Sequence, residues 1–427
     1  MKLLIRGGHL VDPGQEIDEP SDVLIEDGVV ARVGSGIKPG RGAEVVDAEG
    51  LVVTPGLIDI HVHLREPGQE YKETIESGTR SAAAGGFTAV ACMPNTDPPN
   101  DSRAVTEFIL RQAGESGFAR VYPIGAISKG QRGEELAEVG EMARGGAVAI
   151  SDDGFPVMSP DLMRSALLYA QHFDLPVIQH AEDLGLGSDG VMHEGDWSAR
   201  LGLPGLPSAA EDLMVGRDLR LLELTGGRYH VAHLSTAGSL ELVRQAKARG
   251  LGATCEVTPH HLLLTDEAVS TTDFSTHTKM KPPLRAEDDR QALLGGLRDG
   301  TIDAIASDHA PHHSDEKDVE FSMAPFGIVG LETTLSLCLD RLVRPKVVSL
   351  YRLIELLSTG PARCLGIPGG RLAPGDVADV TLMDLRRRVT VSTRRFESLA
   401  TNTPFAGWKL RGRPVATFLG GRKVQLS

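Results

Sequence analysis

The chain has 427 residues, 41% hydrophobic and 24% charged, enough for one large barrel or for two to three smaller units. Its formal net charge of −14 argues against a nucleic-acid or anionic-membrane partner, while a small anionic substrate held by a local arginine stays compatible with it. Four widely spaced cysteines (Cys92, Cys255, Cys338, Cys364) form no CxxC pair, which excludes a zinc ribbon and a disulfide framework and leads us to expect reduced thiols in a cytoplasmic protein.

The first stretch reads as short strands at 2–6, 22–26, 29–33 and 44–46, separated by Asp12-Pro13-Gly14, Asp27-Gly28 and Pro39-Gly40. Asp-Gly between two apolar runs is a tight-hairpin signal. Only three consecutive apolar residues precede Arg6, so no signal peptide is expected, and no apolar run is long enough to span a bilayer.

From residue 55 the pattern alternates strand and helix. Continuous apolar or β-branched runs fall at 57–61, 88–92, 121–127, 147–151, 176–179, 229–232, 253–257 and 302–306. Helical stretches are expected at 72–84, 102–116, 133–144, 159–172, 208–224 and 237–248, several opening on a capping serine. Apolar strands alternating with helices imply a parallel sheet, and eight such units over 55–365 fit an α/β (β/α)8 TIM-type barrel. A doubly wound open sheet is the alternative, but it would not bring residues of the first and last strands to one point. The end of the chain turns β-rich again, at 377–383, 415–419 and 422–425. Residues 1–54 and 366–427 are therefore expected to form one small composite β-sandwich domain.

The chemistry-bearing residues share a position. His61 and His63 end the first barrel strand, where residues i and i+2 point to one side. Asp153 follows the fourth strand, His180 ends the fifth, His233 the sixth and Asp308 the eighth. Active sites of such barrels sit at the C-terminal strand ends. A lone His or Asp after a strand is more often a cap, but six at one end of one barrel point to a metal centre. Neutral imidazole and carboxylate oxygen suit Zn²⁺. His61, His63 and Asp308 would hold one ion, His180 and His233 a second, with Asp153 placed between them. Two such ions can share a hydroxide that attacks a carbonyl.

Eight motifs then occur in order: His61-Val62-His63-Leu64-Arg65-Glu66-Pro67-Gly68, Met93-Pro94-Asn95-Thr96, Ser151-Asp152-Asp153-Gly154, Gln179-His180-Ala181-Glu182, Ala232-His233-Leu234-Ser235-Thr236, Val257-Thr258-Pro259-His260-His261, Lys279-Met280-Lys281-Pro282-Pro283-Leu284-Arg285 and Ala306-Ser307-Asp308-His309-Ala310-Pro311-His312. On these the whole chain resembles the class I bacterial dihydroorotases of the cyclic amidohydrolase superfamily. The resemblance implies reversible cyclisation of N-carbamoyl-L-aspartate to L-dihydroorotate in pyrimidine synthesis, with one or two zinc ions. Many relatives bridge their metals with a carboxylated lysine. Here Ser151-Asp152-Asp153 stands instead, which is the class I pattern and points away from a hydantoinase, dihydropyrimidinase or allantoinase. The resemblance also implies a homodimer or an aspartate transcarbamoylase partner. A non-catalytic scaffold for that partner is a further alternative, against which the intact ligand set speaks.

Arg65, two residues beyond His63, is expected to grip a substrate carboxylate through its guanidinium fork, and Asn95 to add an amide donor. Asp308 is expected to serve as general acid/base as well as ligand. His312 and the segment Pro325-Phe326-Gly327 match substrate-contacting positions of the family, Phe326 and Gly327 through backbone groups. His63 is counted with the substrate contacts. His309 and His313 read as loop structure, and His260 and His261 as rim hydrogen bonding. Lys281 is a departure: relatives usually carry Asn before Pro-Pro-Leu-Arg. Its ammonium is expected to reach the pocket and help neutralise the substrate carboxylates. Residues 310–326 read as a long structureless covering loop.

Overall fold

The computed structural model describes residues 1–187 and 189–426. The chain opens with β1 (Lys2–Asp12) antiparallel to β2 (Ile17–Glu26), which turns at Asp27-Gly28 into β3 (Val29–Gly34). Asp27 and Gly28 have φ of 50° and 86°, the left-handed pair that a two-residue hairpin needs. β1 and β2 run further than their apolar patterns predict, because they pair along their whole length past a bulge between Ile5 and Gly8. The second edge of β1 takes β4 (Glu44–Asp47) and β5 (Val52–Pro55) in parallel.

The barrel follows: β6 (Leu57–Val62), β7 (Phe87–Cys92), β8 (Arg120–Gly125), β9 (Ala149–Ser151) and β10 (Val177–Gln179). A two-stranded parallel ladder, β11 (Met192–His193) with β12 (Gly205–Leu206), interrupts it. β13 (Tyr229–Val231), β14 (Ala253–Val257) and β15 (Ala304–Ile305) complete eight parallel strands in sequence order. β6 and β15 meet without a regular ladder. Asp59, buried within β6, joins them by accepting the Ser307 N–H at 3.1 Å, and His63 N–H donates to His309 O at 2.9 Å. Burial pushes the Asp59 carboxyl up to about 7. The barrel interior is filled by small and branched side chains, including Ile58, Ile60, Ala89, Ala91, Ile178 and Ala304, and Ala362, Leu365 and Ile367 pack against them.

The helix starting at Ile75 is capped by Thr74, whose hydroxyl accepts from Ser77 N–H while Ser77 Oγ accepts from Thr74 N–H. Two expectations need correction. Residues 133–144 are helical only over Val139–Gly145. Ahead of that helix the chain is extended: Lys129 N–H donates to Glu135 O, Ser128 bridges to Leu136, and Ala137 is buried in the core. Docking of Leu136 and Ala137 overrides the helix preference of the Glu-rich stretch. The 310–326 segment is not structureless. It holds a short helix, Ser314–Lys317, and a buried Lys317 whose ammonium donates to Thr276 O (3.1 Å) and Pro325 O (2.7 Å).

Last come β16 (Val380–Thr390), β17 (Lys409–Leu419) and β18 (Arg422–Lys423). β16 pairs antiparallel with β5, so both termini build one sheet ordered β18-β17-β16-β5-β1-β2-β3, with β4 on β1. The sheet curls on itself: Val23 and Ile25 of β2 share a core with Val380 and Leu382 of β16 and Phe418 of β17. It is joined to the barrel through Thr381 Oγ1 to Gly86 O and Thr417 Oγ1 to Ala83 O. Among the described residues no helix is long and apolar enough to cross a membrane.

Candidate metal centre and substrate pocket

The six expected ligands converge at the C-terminal end of the barrel, all buried. Asp153 lies in the middle. Its Oδ1 is 3.5 Å from His61 Nε2, 3.4 Å from His233 Nε2 and 3.7 Å from His180 Nδ1, and its Oδ2 is 3.5 Å from His63 Nε2. Asp308 Oδ1 is 3.1 Å from His63 Nε2 and 3.5 Å from His61 Nε2. His180 Nδ1 and His233 Nε2 approach to 2.9 Å. Three groups have ligand atoms within 4.8 Å of one another: His61, His233 and Asp308; His61, His63 and Asp153; Asp153, His180 and His233. Asp153 is common to two of these groups, but His233 joins His61 and Asp308 in the other, so the groups do not reproduce the expected split of His61, His63 and Asp308 from His180 and His233. His61 Nε2 and Asp153 Oδ1 are buried without a hydrogen-bond partner among the described residues. Buried polar atoms of this kind need a partner, and a divalent cation fits the N and O donors gathered here.

The imidazoles are oriented from behind. His61 Nδ1 lies 2.6 Å from Glu256 Oε1, which leaves Nε2 for a metal. His63 Nδ1 lies 2.8 Å from Asn95 Oδ1, which does the same. Such partners fix the ring and its tautomer. Glu256 and Asp59 are absent from the sequence reading, since each is one charged residue inside an apolar strand. That placement was the available signal, because a buried carboxylate needs a partner. Asn95 is found where expected, but its carbonyl is engaged by His63, so it positions a ligand as well as facing the pocket.

The electrostatics favour a cation. Burial raises the Glu256 pKa, but the charges and hydrogen bonds of His61 and His230 together outweigh it and bring the carboxyl down to about 2. Burial opposes charge on His180 too, yet hydrogen bonds to Asp153 and Glu182 lift it to about 9. Asp308 is held well below the usual carboxylate range, the His61 charge and the His63 hydrogen bond prevailing over burial. Buried carboxylates thus draw positive charge into the space between the ligands. Asp308 and His233 adopt left-handed φ of 45° and 32°, uncommon for non-glycine residues and concentrated at functional sites.

A cavity of about 340 Å³ opens above the ligands. Arg65, Asn95, Lys281, His312, Phe326 and Gly327 all line it, with Phe155 at 57% exposure on its wall. Arg65 reaches it by a left-handed turn, φ 62°, so strand alternation is not what aims this side chain. Its Nε donates to Pro311 O at 3.2 Å, and its two Nη groups have no protein acceptor among the described residues. Lys281 Nζ pairs with Glu182 Oε1 at 2.9 Å and lies 5.4 Å from the Phe326 ring centre. Glu182 Oε2 stands 3.6 Å from His180 Nε2, so Lys281 is linked to a ligand through a carboxylate that the sequence reading left without a role. His312 Nε2 donates to Phe326 O at 2.8 Å, and Gly327 N–H donates to Lys279 O at 3.0 Å. Those two backbone groups are therefore already engaged. A Cβ on Gly327 would meet Ala310 O at 2.8 Å, and its φ of 147° disfavours other residues.

His309 bonds Gly330 N–H and Glu73, and His313 caps the Ser314–Lys317 helix, in keeping with structural roles. His261 bonds Thr258 and the Pro282 carbonyl. His260, buried beside it, has no partner for Nε2 among the described residues, so only one of the pair makes the expected rim hydrogen bonds.

A family profile described as Dihydro-orotase-like matches residues 50–239. The chain is 56% identical over 422 residues to a protein named Dihydroorotase from Anaeromyxobacter dehalogenans, covering 99% of this chain and 97% of that one. It is 53% identical over 424 residues to one from Geobacter metallireducens, covering 99% of each. Among solved structures it is similar to the L-hydantoinase (dihydropyrimidinase) from Arthrobacter aurescens, with a TM-score of 0.88, 26% identity and coverage of 99% of this chain and 95% of that one.

Proposed function

The chain belongs to the dihydroorotase family, and we propose that it interconverts N-carbamoyl-L-aspartate and L-dihydroorotate in pyrimidine synthesis. The observation that carries this reading is Asp153, ringed by four imidazoles beneath a pocket that offers Arg65. His61, His63, Asp153, His180, His233 and Asp308 would hold one or two Zn²⁺. When bound, the metal supplies a nucleophile at neutral pH and polarises the amide carbonyl. Asp308, whose Oδ1 lies 3.1 Å from His63 Nε2, takes the proton of the attacking water and returns it to the departing ring nitrogen. The Arg65 guanidinium takes the substrate carboxylate bidentately, and Asn95 Nδ2 adds a donor while its Oδ1 holds His63. Lys281 and His312 face the same anion, and Phe326 and Gly327 close one wall.

Residues 1–54 with 366–427 would form the small terminal domain and 55–365 the catalytic one. Four buried, unpaired cysteines support placement in the cytoplasm. A homodimer and an association with aspartate transcarbamoylase are proposed from the family alone, and size-exclusion chromatography with and without that enzyme tests both. The decisive assay is dihydroorotate hydrolysis by zinc-reconstituted protein with hydantoin and allantoin as controls. Turnover of dihydroorotate alone is expected. Faster turnover of either control would overturn the reading.

A further inference from the structure

The C-terminal hairpin has the opposite charge to the chain as a whole. Residues 384–423 contain ten arginines and lysines against two acidic residues, in a protein of net charge −14. The register of β16 and β17 sets Arg388 directly opposite Arg411, and Thr390 opposite Lys409. Strand alternation places these four side chains on one face. On the other face Leu410 and Val389 pack into an apolar cluster with Leu337 and Phe405. Like charges set opposite each other in a sheet repel and weaken the pairing. No ion pair relieves Arg388, Lys409 or Arg411 among the described residues. Arg344, from the turn after Leu339–Val343, closes the face into a cleft of about 320 Å³. Its one carboxylate, Asp340, is already shared by Arg341, Arg344 and the Arg411 N–H, each at 3.2 Å. The cleft shares no residue with the substrate pocket.

We propose that this cleft binds an oligophosphate, a di- or triphosphate chain that is either free or the tail of a nucleotide. Guanidinium groups match phosphate oxygens in pairs, and lysine adds a point charge. The Thr390 hydroxyl gives a neutral donor on the same face. A compact anion of three or four charges offsets the Arg388–Arg411 repulsion in a concave site of this volume, which one carboxylate would leave largely uncompensated. Because the cations converge on a cleft, the site favours a small anion over an extended acidic protein face.

Calorimetric titration at low salt with sodium pyrophosphate, sodium tripolyphosphate and a nucleoside triphosphate tests this on the zinc-loaded enzyme. Saturable binding is expected, weakening as salt rises. It should weaken at least tenfold in an Arg388→Glu/Lys409→Glu variant and stay unchanged in Lys38→Glu, an exposed control. Stripping of metal by the phosphates would give the same heat in all variants, so the difference isolates the cleft. Equal affinity for tripolyphosphate and nucleotide assigns the chain of phosphates alone, and tighter nucleotide binding adds contacts to its base or sugar. Should the glutamate variant fail to fold, Arg388→Gln/Lys409→Gln removes the repulsion and should melt at or above the wild-type temperature while losing the phosphate heat. Dihydroorotate turnover without phosphate should be unchanged in that variant. Binding of equal strength in the double variants, or binding no tighter than that of sulfate at matched ionic strength, would overturn the proposal. So would retention on polyglutamate with no phosphate binding, which would identify an acidic protein as the partner.

Discussion

Asp308 is proposed for two duties on one carboxylate. It lies within 3.1 Å of His63 Nε2 and 3.5 Å of His61 Nε2, and it is the candidate proton carrier. Asp308→Asn keeps the shape and removes the basic oxygen. Turnover of the zinc-loaded variant should fall by roughly 10²–10⁴-fold with substrate still bound, since proton transfer is commonly worth that much. Metal content measured on the same sample separates lost ligand from lost base, and near-normal turnover with full metal would refute the role. Lys281 is the residue whose behaviour the structure sharpens. Its position before Pro282-Pro283 put it near the substrate, but the sequence offered no sign that Glu182 would hold its ammonium at 2.9 Å. The pair leaves Lys281 a partly compensated cation on the pocket wall. Lys281→Ala exposes the Glu182 carboxylate to the substrate. The KM for carbamoyl aspartate, the more highly charged form, should rise by roughly 2–5-fold, in line with one partly screened charge. The KM for dihydroorotate should rise less. Equal constants for wild type and variant would make the lysine a bystander.

The elements that could be read in the sequence are those whose pattern is local. Barrel strands are continuous apolar runs, and the structure puts all eight where those runs lie. The convergence of the six candidate ligands was legible because strand ends are where a barrel gathers chemistry. What escaped depends on distant partners: Glu256 behind His61, Asp59 across the seam, and the extended stretch ahead of Val139. The 310–326 segment belongs here too. It reads as a polar loop, yet Lys317 straps it down through one buried and one partly buried carbonyl. Lys317→Met keeps the apolar stem and drops both bonds, leaving the buried Thr276 carbonyl unsatisfied at a cost of about 1–3 kcal/mol. The variant should be cut faster by protease between residues 314 and 325. The pH signature is specific. Burial lowers the Lys317 pKa from 10.5 to about 7, so the unfolded chain binds more protons than the folded one between those values. This group's contribution therefore increases as pH rises through that window, falls away as pH drops from 10.5 to about 7, and changes no further below that. The stability gap between wild type and Lys317→Met, measured by urea unfolding, should widen from pH 6 to pH 9. Parallel curves would show that the ammonium does not sense its burial.

At the scale of the whole molecule, the metal centre ties together strands far apart in sequence. The six candidate ligands lie at the end of β6 or follow it, β9, β10, β13 and β15, and β6 and β15 meet at an irregular seam that Asp59 and the His63 N–H help to close. A cation bound among them would act as a cross-link that only the folded barrel offers. Binding to the folded state alone adds about 4.1 kcal/mol when free metal is 1,000 times its dissociation constant. Spread over a chain of this size, that corresponds to roughly 4–6 °C in unfolding temperature. Chelated protein should melt lower by that margin in calorimetry and recover fully on addition of zinc. Asp153→Asn removes the carboxylate that four imidazoles surround, so its melting temperature should respond to zinc by less than half as much. An equal response in the variant would show that the stabilising metal lies elsewhere. No response in the wild type would mean that the six residues hold no ion with useful affinity, and the fold would then have to stand on its apolar core and its sheet contacts alone.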